Sequence, residues 1–370
     1  MHVITGLHVG GAESMLYKLL QATDKNKFQP IVVPLINGGP LYSKIEDLGI
    51  PVHSLGMKSG INLFHGMNAL KKQIKIYQPH LIQGWMYHAN VLSQLTMAFS
   101  RFAIPVLWNI RHSHYGNEKD KLTTSIIIKM GSFLSHQAVR IVYNSYLSAK
   151  QHEKIGYDNS KTVVIPNGFD TDRYHPSQEA RIKLRKEFNL DEDTLLIGMV
   201  ARYHPVKDHD TFLQAASHLH DIYPNVHFIL VGRGIDLDNK VLAARIKELG
   251  ILEVTHLLGE QSDTSMITAA LDIATLTSVS EGFPNVVGEA MACGIPCVVT
   301  DVGDSSIVVG PEGIVVPVQS PDAIVNGWKK LIMLERKDRE EVGKEARKRV
   351  VSNFSIDEIV KMYEDMYLSF

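Results

Sequence analysis

The chain has 370 residues, of which 45% are hydrophobic, 8% aromatic and 21% charged. This length fits two domains of ordinary size, and the composition excludes a disordered tail protein, a collagen-like repeat and a disulfide scaffold. A formal net charge of −2 gives no overall case for nucleic-acid binding. Two cysteines, Cys293 and Cys297, indicate a reducing compartment. The first residues lack the pattern of a signal peptide, and no run of about 18 apolar residues occurs, so we expect a cytoplasmic protein without a membrane span.

Positive charge is concentrated in the first half of the chain. Residues 1–172 contain 17 Lys and Arg against 10 Asp and Glu, whereas residues 173–370 contain 21 against 30. Two interpretations remain open. The difference reflects the surface composition of two domains, or the basic half meets an anionic partner such as a membrane surface or a phosphorylated acceptor.

Short β-branched runs alternate with amphipathic stretches along the chain. In the first half they predict strands over 3–5, 31–35, 52–54, 81–83, 106–109, 139–143 and 163–165, and helices over 12–21, 63–77, 89–99 and 121–135. In the second half they predict strands over 195–200, 227–231, 254–257, 273–276 and 296–300, and helices over 211–221, 239–249, 264–270, 286–292, 338–351 and 355–368. This alternation indicates an α/β protein whose parallel sheets are covered on both faces. So many strands favour two Rossmann-like, doubly wound domains.

The segment 166–176, PNGFDTDRYHP, has proline at both ends and an Asn-Gly turn signal. We place the domain boundary there, with an N-terminal domain over residues 1–172 and a C-terminal domain over residues 173–351.

In doubly wound sheets, ligands bind beyond the carboxyl ends of the strands, so the loops after strands are candidate sites. The first strand is followed by Gly10 and Gly11, which allow close backbone approach to a phosphate at a helix start. A tight turn explains these glycines equally well. The strand over 195–200 is followed by Arg202 and Lys207, which suit a diphosphate; each alone would be an ordinary surface cation.

The loop after the strand over 273–276 combines two carboxylates with a helix start. Pro284 suits the first turn of a helix, which leaves the N–H groups of residues 285–287 facing an anion. Glu281 precedes this helix, and Glu289 follows eight residues later. Carboxylates accept hydrogen bonds from sugar hydroxyls, and N–H groups hold phosphate, so the segment predicts a site for a phosphorylated sugar. Each glutamate alone would be a solvated surface charge.

These motifs coincide with those of one enzyme family. They are Gly10–Glu13, Pro166–Asp170, Ala201-Arg202 with Lys207-Asp208, and an E-x7-E motif from Glu281 to Glu289 that continues to Pro296. From end to end the chain resembles the retaining glycosyltransferases of family 4. The resemblance implies the GT-B architecture, in which two Rossmann-like doubly wound domains face a cleft. Such proteins usually have a few more residues before the first strand, so we expect either a trimmed strand or a late start.

The resemblance assigns most donor contacts to the C-terminal domain. Glu289 resembles the residue that holds the ribose hydroxyls, and Glu281 resembles the carboxylate that meets hydroxyls of the transferred sugar. Arg202 and Lys207 resemble the cations that neutralise the departing diphosphate. The segment near sugar and phosphate comprises Gly282, Phe283, Pro284, Asn285 and Val286.

Two residues of the N-terminal domain complete the implied site. Gly11 is similar to the glycine whose backbone approaches the phosphate. His88 resembles the family's active-site histidine near the sugar, although a histidine that only caps a helix is an alternative. The resemblance also implies that the final helix, residues 352–370, packs back on the N-terminal domain.

The implied activity is transfer of a hexosyl or N-acetylhexosaminyl group from a nucleotide-diphosphate donor to a hydroxyl, with retention of the anomeric configuration. UDP is the expected nucleotide, and a glycan or lipid-linked molecule of envelope polysaccharide or glycolipid assembly is the expected acceptor. No cofactor or metal is implied, because Asp-x-Asp occurs in four unrelated settings. A sugar-nucleotide epimerase or hydrolase of the same architecture and a non-catalytic sugar-nucleotide-binding protein remain alternatives.

Basic and apolar residues of the N-terminal domain predict a peripheral membrane surface, for which a solvated helix face is the alternative. The candidates are Lys71, Lys72, Lys75, Phe99, Arg101, Phe102, Lys119, Lys121 and Lys129, the last near residues 126–128. The loops around 37–40, 57–63 and 112–121 match no pattern that identifies an acceptor.

Overall fold

The structure, a computed structural model, describes residues 1–57, 63–112 and 122–370. Within this part of the chain the strands are β1 (His2–Ile4), β2 (Val32–Pro34), β3 (Ile82–Trp85), β4 (Val106–Ile110), β5 (Arg140–Tyr143), β6 (Thr162–Val164), β7 (Leu195–Val200), β8 (Val226–Val231), β9 (Thr255–Leu257), β10 (Ile273–Leu276), β11 (Cys297–Thr300) and β12 (Ile314–Val316). The α-helices are α1 (Gly11–Ala22), α2 (Leu41–Asp47), α3 (Leu63–Tyr77), α4 (Met86–Ala98), α5 (Leu122–Leu134), α6 (Tyr146–Lys154), α7 (Gln178–Glu187), α8 (His209–His220), α9 (Lys240–Glu248), α10 (Ser265–Ala269), α11 (Asn285–Ala292), α12 (Ser305–Val309), α13 (Pro321–Ile332), α14 (Arg336–Phe354) and α15 (Ile356–Leu368).

The chain forms two compact units. The first comprises Met1–Gly168 and Ile356–Phe370, and the second comprises Phe169–Ser355. The boundaries predicted after residues 172 and 351 lie a few residues away from these. The reason is that Phe169 donates its backbone N–H to the carbonyl of Phe354 at 2.8 Å, and both side chains lie in the hydrophobic core of the second unit.

The first unit is a parallel sheet in the order β2-β1-β3-β4-β5-β6. The strand predicted over residues 52–54 is only an isolated bridge between Val52 and Val32. Helix α15 buries Ile359, Val360 and Tyr363 in the same core cluster as α1. The sequence order reverses between β1 and β3, which makes their carboxyl ends the switch point where doubly wound sheets bind ligands.

The second unit is a parallel sheet in the order β12-β11-β10-β7-β8-β9, so its switch point lies between β7 and β10. The fold class of two Rossmann-like domains is confirmed. Strand β12 was not predicted from the sequence, because it has only three residues and directly follows Gly310-Pro-Glu-Gly313, a sequence typical of a loop. Cys293 and Cys297 are buried free thiols of this unit's core.

Candidate functional site

Two loops meet at the switch point of the second unit. After β7 the chain forms a short 3₁₀ helix over Pro205–Lys207, and Asp208 then adopts a left-handed backbone, φ 49°, and caps α8. The backbone N–H of Val279, which follows β10, donates to the carbonyl of Val206 at 2.9 Å. The two loops are therefore held side by side at the carboxyl ends of β7 and β10.

An ion pair joins these loops. Lys207 Nζ lies 2.5 Å from Glu281 Oε1, and the hydroxyl of Ser278 donates to the same oxygen at 2.6 Å. The two charged side chains are 23% and 14% exposed, so they are reachable yet only partly solvated. In this state the lysine and the carboxylate neutralise each other. The structure thus brings together two of the predicted site residues.

The loop that carries Glu281 packs closely against the backbone of Gly303 and Asp304. Gly303 has φ 56°, and a Cβ there would overlap the carbonyl oxygens of Glu281 and Gly282. The next residue, Asp304, donates its backbone N–H to Gly282 O at 3.0 Å. The loop position of Glu281 therefore depends on a glycine that the sequence analysis did not single out.

The start of α11 differs in detail from the prediction. Pro284 is the N-cap residue and precedes the first helical turn, which begins at Asn285. The backbone N–H of Val287 donates to Pro284 O at 3.1 Å, so this N–H group does not face an anion as predicted. Phe283 and Pro284 are buried, Asn285 is exposed and Val286 is half-buried.

Between the two glutamates, Gly288 is a packing residue. A Cβ at Gly288 would overlap the ring of Phe169, which stacks on Phe283 with ring centroids 6.0 Å apart. Glu289 follows on α11 and is half-buried. Burial first, and the charge of Glu289 second, raise the pKa of Tyr174 to about 12. Glu289 therefore lies close to Tyr174, in the segment that begins the second unit at Phe169.

Arg202 also lies on the loop after β7, but it is exposed and has no hydrogen bond or ion pair with the part of the chain that the structure describes. Gly232, which follows β8, approaches this loop closely: it has φ 149°, and a Cβ there would overlap the carbonyl of Ala201. Tyr203 of the same loop lies against His209, with ring centroids 5.3 Å apart. Burial lowers the pKa of His209 to about 4, although a hydrogen bond with the backbone of Ala201 opposes the shift. His209 is therefore a neutral imidazole at neutral pH.

In the first unit, the predicted residues flank the other switch point. Gly11 is the first residue of α1, is exposed, and would place a Cβ in open space. His88 is in the first turn of α4, which follows β3 without a loop because Met86 has a left-handed backbone, φ 68°. A non-glycine residue in this region is strained, as is common at functional sites. Burial lowers the pKa of the half-buried His88, which favours its neutral form.

A half-buried cation next to the start of α4, Arg111, was not predicted from the sequence. Arg111 follows β4, and its backbone N–H donates to Met86 Sδ at 3.4 Å. Its guanidinium donates to the Tyr363 hydroxyl at 2.8 Å and to Asn167 Oδ1, while no carboxylate among the described residues pairs with it. Burial lowers the pKa of Arg111. Its position directly after a strand was the signal available, but its partners are distant in sequence.

The structure describes most of the residues predicted to form a membrane surface. Lys71 Nζ donates to the carbonyl of Phe99 at 2.7 Å, and the Phe99 side chain is 69% exposed. Lys72, Lys75, Arg101 and Lys129 are exposed, whereas Phe102 packs partly in the core, and Ile127 and Ile128 near Lys129 are buried. Lys119 and Lys121 lie outside the described residues, as do most of the loops 57–63 and 112–121. None of the helices in the described ranges combines the length and apolar character that a membrane crossing requires.

Both halves of the chain match known glycosyltransferase families. Residues 9–173 match Glycosyltransferase Family 4, and residues 180–349 match Glycosyl transferases group 1. The putative glycosyltransferase EpsF of Bacillus subtilis is 25% identical over 313 residues, which are 81% of this chain and 78% of EpsF. The Escherichia coli UDP-Gal:alpha-D-GlcNAc-diphosphoundecaprenol alpha-1,3-galactosyltransferase is 27% identical over 215 residues, which are 57% of this chain and 55% of that enzyme.

The fold is similar to that of HepE from Anabaena, crystallised with UDP, with UDP and glucose, and with UDP-glucose. The TM-scores are 0.83, 0.80 and 0.78, at 22% identity and with both chains covered completely. The two family matches together span most of the sequence, and both units have the expected sheets. The chain therefore belongs to the group 1 glycosyltransferases of family 4, with the GT-B architecture.

Proposed function

We propose that this protein transfers a hexosyl or N-acetylhexosaminyl group from a UDP-sugar to a hydroxyl of a glycan or lipid-linked acceptor, with retention of the anomeric configuration. The observation that carries the proposal is the Lys207–Glu281 ion pair at the switch point of the second unit, next to the start of α11. UDP is supported by the ligands of HepE, and a lipid-linked acceptor by the name of the E. coli relative. The setting we propose is envelope polysaccharide or glycolipid assembly in the cytoplasm.

The charged residues of the second unit act on the leaving group and the donor. As the bond to the diphosphate breaks, negative charge develops on its oxygens, and Lys207 and Arg202 stabilise that charge. Glu281 accepts hydrogen bonds from hydroxyls of the transferred sugar, and Glu289 accepts them from the ribose. Backbone N–H groups of the segment 282–286, Pro284 excepted, contact sugar and phosphate. The proposed transfer uses no metal, so activity is expected to persist in EDTA.

In the first unit, the neutral imidazole of His88 contacts a sugar hydroxyl, and the backbone of Gly11 contacts a substrate phosphate. The lowered pKa of His88 supports a hydrogen-bonding role over that of a fixed cation. The open space in front of Gly11 supports close approach by a ligand.

We also propose that the first unit associates peripherally with the inner face of the membrane. Phe99 and Ile76 are 69% and 67% exposed and accompany the lysines of α3, a combination typical of interfacial helices. Replacing Lys71, Lys72 and Lys75 by Glu is expected to abolish binding to anionic liposomes. Unchanged binding would overturn this part of the proposal.

The experiment that tests the function is a melting-temperature measurement with UDP, GDP, ADP and CMP, followed by product analysis. At a hundred times its Kd, UDP is expected to stabilise the wild type by about 2.7 kcal/mol and so to raise its melting temperature. UDP is not expected to raise the melting temperature of Glu289→Ala. Glu345→Ala, which removes an exposed carboxylate of α14, is the matched control. If only another nucleotide stabilises the protein, the proposal that the donor carries UDP is refuted.

Product analysis then separates the enzyme classes. With a UDP-sugar and an acceptor, a glycosylated product whose anomeric configuration matches that of the donor is expected by NMR. Free sugar or an epimerised donor, formed without acceptor, would favour a hydrolase or an epimerase. Nucleotide binding without any turnover across acceptors would favour a non-catalytic binding protein.

A further inference from the structure

A second cluster of cations lies in the second unit, away from the proposed transfer site. It borders a surface cavity of about 270 Å³ between α7, the segment that leads into β7, and the start of α14. The charged side chains that line it are Arg181, Arg185, Lys186, Glu192 and Arg336.

This cavity lies at the opposite end of the sheet from Lys207 and Glu281. Leu196, near the start of β7, donates its backbone N–H to Asp272 Oδ2 at 2.8 Å, and Asp272 immediately precedes β10. The carboxylate of Asp272 in turn binds two of the lining arginines. Since β7 has six residues that each rise ~3.3 Å, the two sites are separated by roughly 20 Å of sheet.

Positive charge exceeds negative charge around the cavity. Asp272, whose side chain is 6% exposed, accepts from Arg181 Nη1 at 2.5 Å and from Arg185 Nη2 at 2.6 Å. Arg336 is exposed, and among the described residues its side chain bonds only Glu340 of its own helix, at 2.9 Å. The cations of the cluster are Arg181, Arg185, Lys186, Arg336 and the buried Arg339, and its anions are Asp272, Glu192 and Glu340.

Arg185 supplies a second, independent observation. Its side chain is 4% exposed and lines the cavity, and its Nε–H is buried without an acceptor among the described residues. Arg181 and Arg185 share the single carboxylate of Asp272, so an anion in the cavity would offset positive charge that this carboxylate leaves uncompensated. Burial lowers the pKa of Arg185, while the charge of Asp272 opposes the shift and that of Arg181 adds to it.

We propose that this cavity binds a small phosphate-bearing molecule, at a site separate from the transfer site. Several guanidinium groups with one ammonium group match the oxygens of a phosphate, because each guanidinium offers paired N–H donors and Lys186 adds a mobile charge. The volume admits a phosphate or diphosphate with a small organic part. The phosphate comes either from an inorganic anion or from a phosphate ester.

Isothermal titration of the full chain with inorganic phosphate, pyrophosphate and glycerol 3-phosphate tests the proposal. Binding of at least one probe is expected, and the probe that binds best identifies the source. Arg336→Gln is expected to weaken binding about tenfold, and Lys186→Gln by a smaller factor, since each removes a charged contact. Both residues are exposed, so neither change removes a core contact.

Two controls separate this cavity from the transfer site. Lys344→Gln, an exposed lysine of α14 paired with Glu341, is expected to leave probe binding unchanged. Lys207→Ala is also expected to leave the Arg336-dependent part of probe binding unchanged, and Arg336→Gln to leave UDP binding unchanged. The proposal is overturned if the wild type binds no probe, if Lys207→Ala abolishes probe binding, or if Arg336→Gln and Lys186→Gln bind as the wild type does. Because the probes contain no nucleotide, failure of the proposed transfer activity would not affect this result.

Discussion

The switch points of the two sheets differ in the charge that they present. In the second unit, Lys207 and Glu281 form an ion pair across the carboxyl ends of β7 and β10. In the first unit, the corresponding edge presents an open glycine, Gly11, and a neutral imidazole, His88. Arg111, which follows β4 and contacts Met86 at the start of α4, is bound to neutral acceptors.

This difference separates two kinds of chemistry that share one fold. A partly exposed charge pair is suited to a step in which charge develops, because each partner can exchange its counter-ion for a ligand group. A neutral imidazole beside an open glycine is suited to the recognition of a hydroxyl and to close approach of a ligand to the backbone. Because parallel sheets of the same construction carry both edges, the distinction comes from the loops and not from the strands.

The largest effect is expected from removal of the charge at the second switch point. Lys207→Ala leaves Glu281 without its cation and the leaving group without Lys207, so we expect kcat/KM to fall by about two to three orders of magnitude. Steady-state kinetics with the donor identified by the melting experiment measures this loss. Lys344→Ala, which removes an exposed lysine of the same unit, is the control and is expected to be silent. A loss below tenfold would show that the charge pair is structural.

The next effect concerns packing beneath that site. Gly288→Ala places a methyl group onto the ring of Phe169, so we expect the second unit to lose about 2–3 kcal/mol of stability. Hydrogen exchange of the amides of β7 and β10, compared with β3 and β4, measures the loss unit by unit. A second change, Phe169→Leu, is expected to restore part of it. Equal destabilisation of both units would contradict this assignment.

The two candidate sites differ in how much of each lies in one sequence motif. Glu281 and Glu289 belong to one motif in a single short segment, and Lys207 was singled out by its position after a strand; the structure places it beside Glu281. Two features of this candidate site differed from the prediction or escaped it. Pro284 is a cap and precedes the helix, and the glycine that braces Glu281 lies in a different loop.

The fold itself was predictable because apolar β-branched runs alternate with amphipathic segments in both halves. Most elements that escaped prediction are short or weakly patterned. Helix α13 is an exception, since its 12 residues carry a clear apolar stripe that includes Ile324, Trp328 and Leu331. Strand β12 has three residues, and α7 and α6 are rich in charged or polar residues, so neither helix shows a clear apolar stripe in sequence. The Arg111 cluster escaped because its partner Tyr363 lies on the final helix, more than 250 residues away.

That cluster provides a test in the first unit. The Tyr363 hydroxyl accepts from Arg111 Nη1 and from Asn109 Nδ2, each at 2.8 Å. Tyr363→Phe leaves two donors without this acceptor, so we expect the first unit to lose about 1–2 kcal/mol, with the second unit unchanged. Urea unfolding with unit-resolved hydrogen exchange measures it. Tyr367→Phe, on the same helix and hydrogen-bonded to Gln83, is the comparison variant.

The smallest effect on stability is expected at Gly11, whose surroundings are open, in contrast to those of Gly288. A Cβ at Gly11 meets nothing within 4 Å, and alanine is the better helix former, so Gly11→Ala is expected to stabilise the first unit by about 0.5–1 kcal/mol. The same methyl group would stand where we propose that a substrate phosphate approaches, so kcat/KM is expected to fall about tenfold despite the gain in stability. Thermal unfolding and kinetics on one preparation measure both quantities. Stabilisation with full activity would mean that Gly11 serves only the turn after β1, whereas Gly288→Ala should lower activity only as far as it lowers stability.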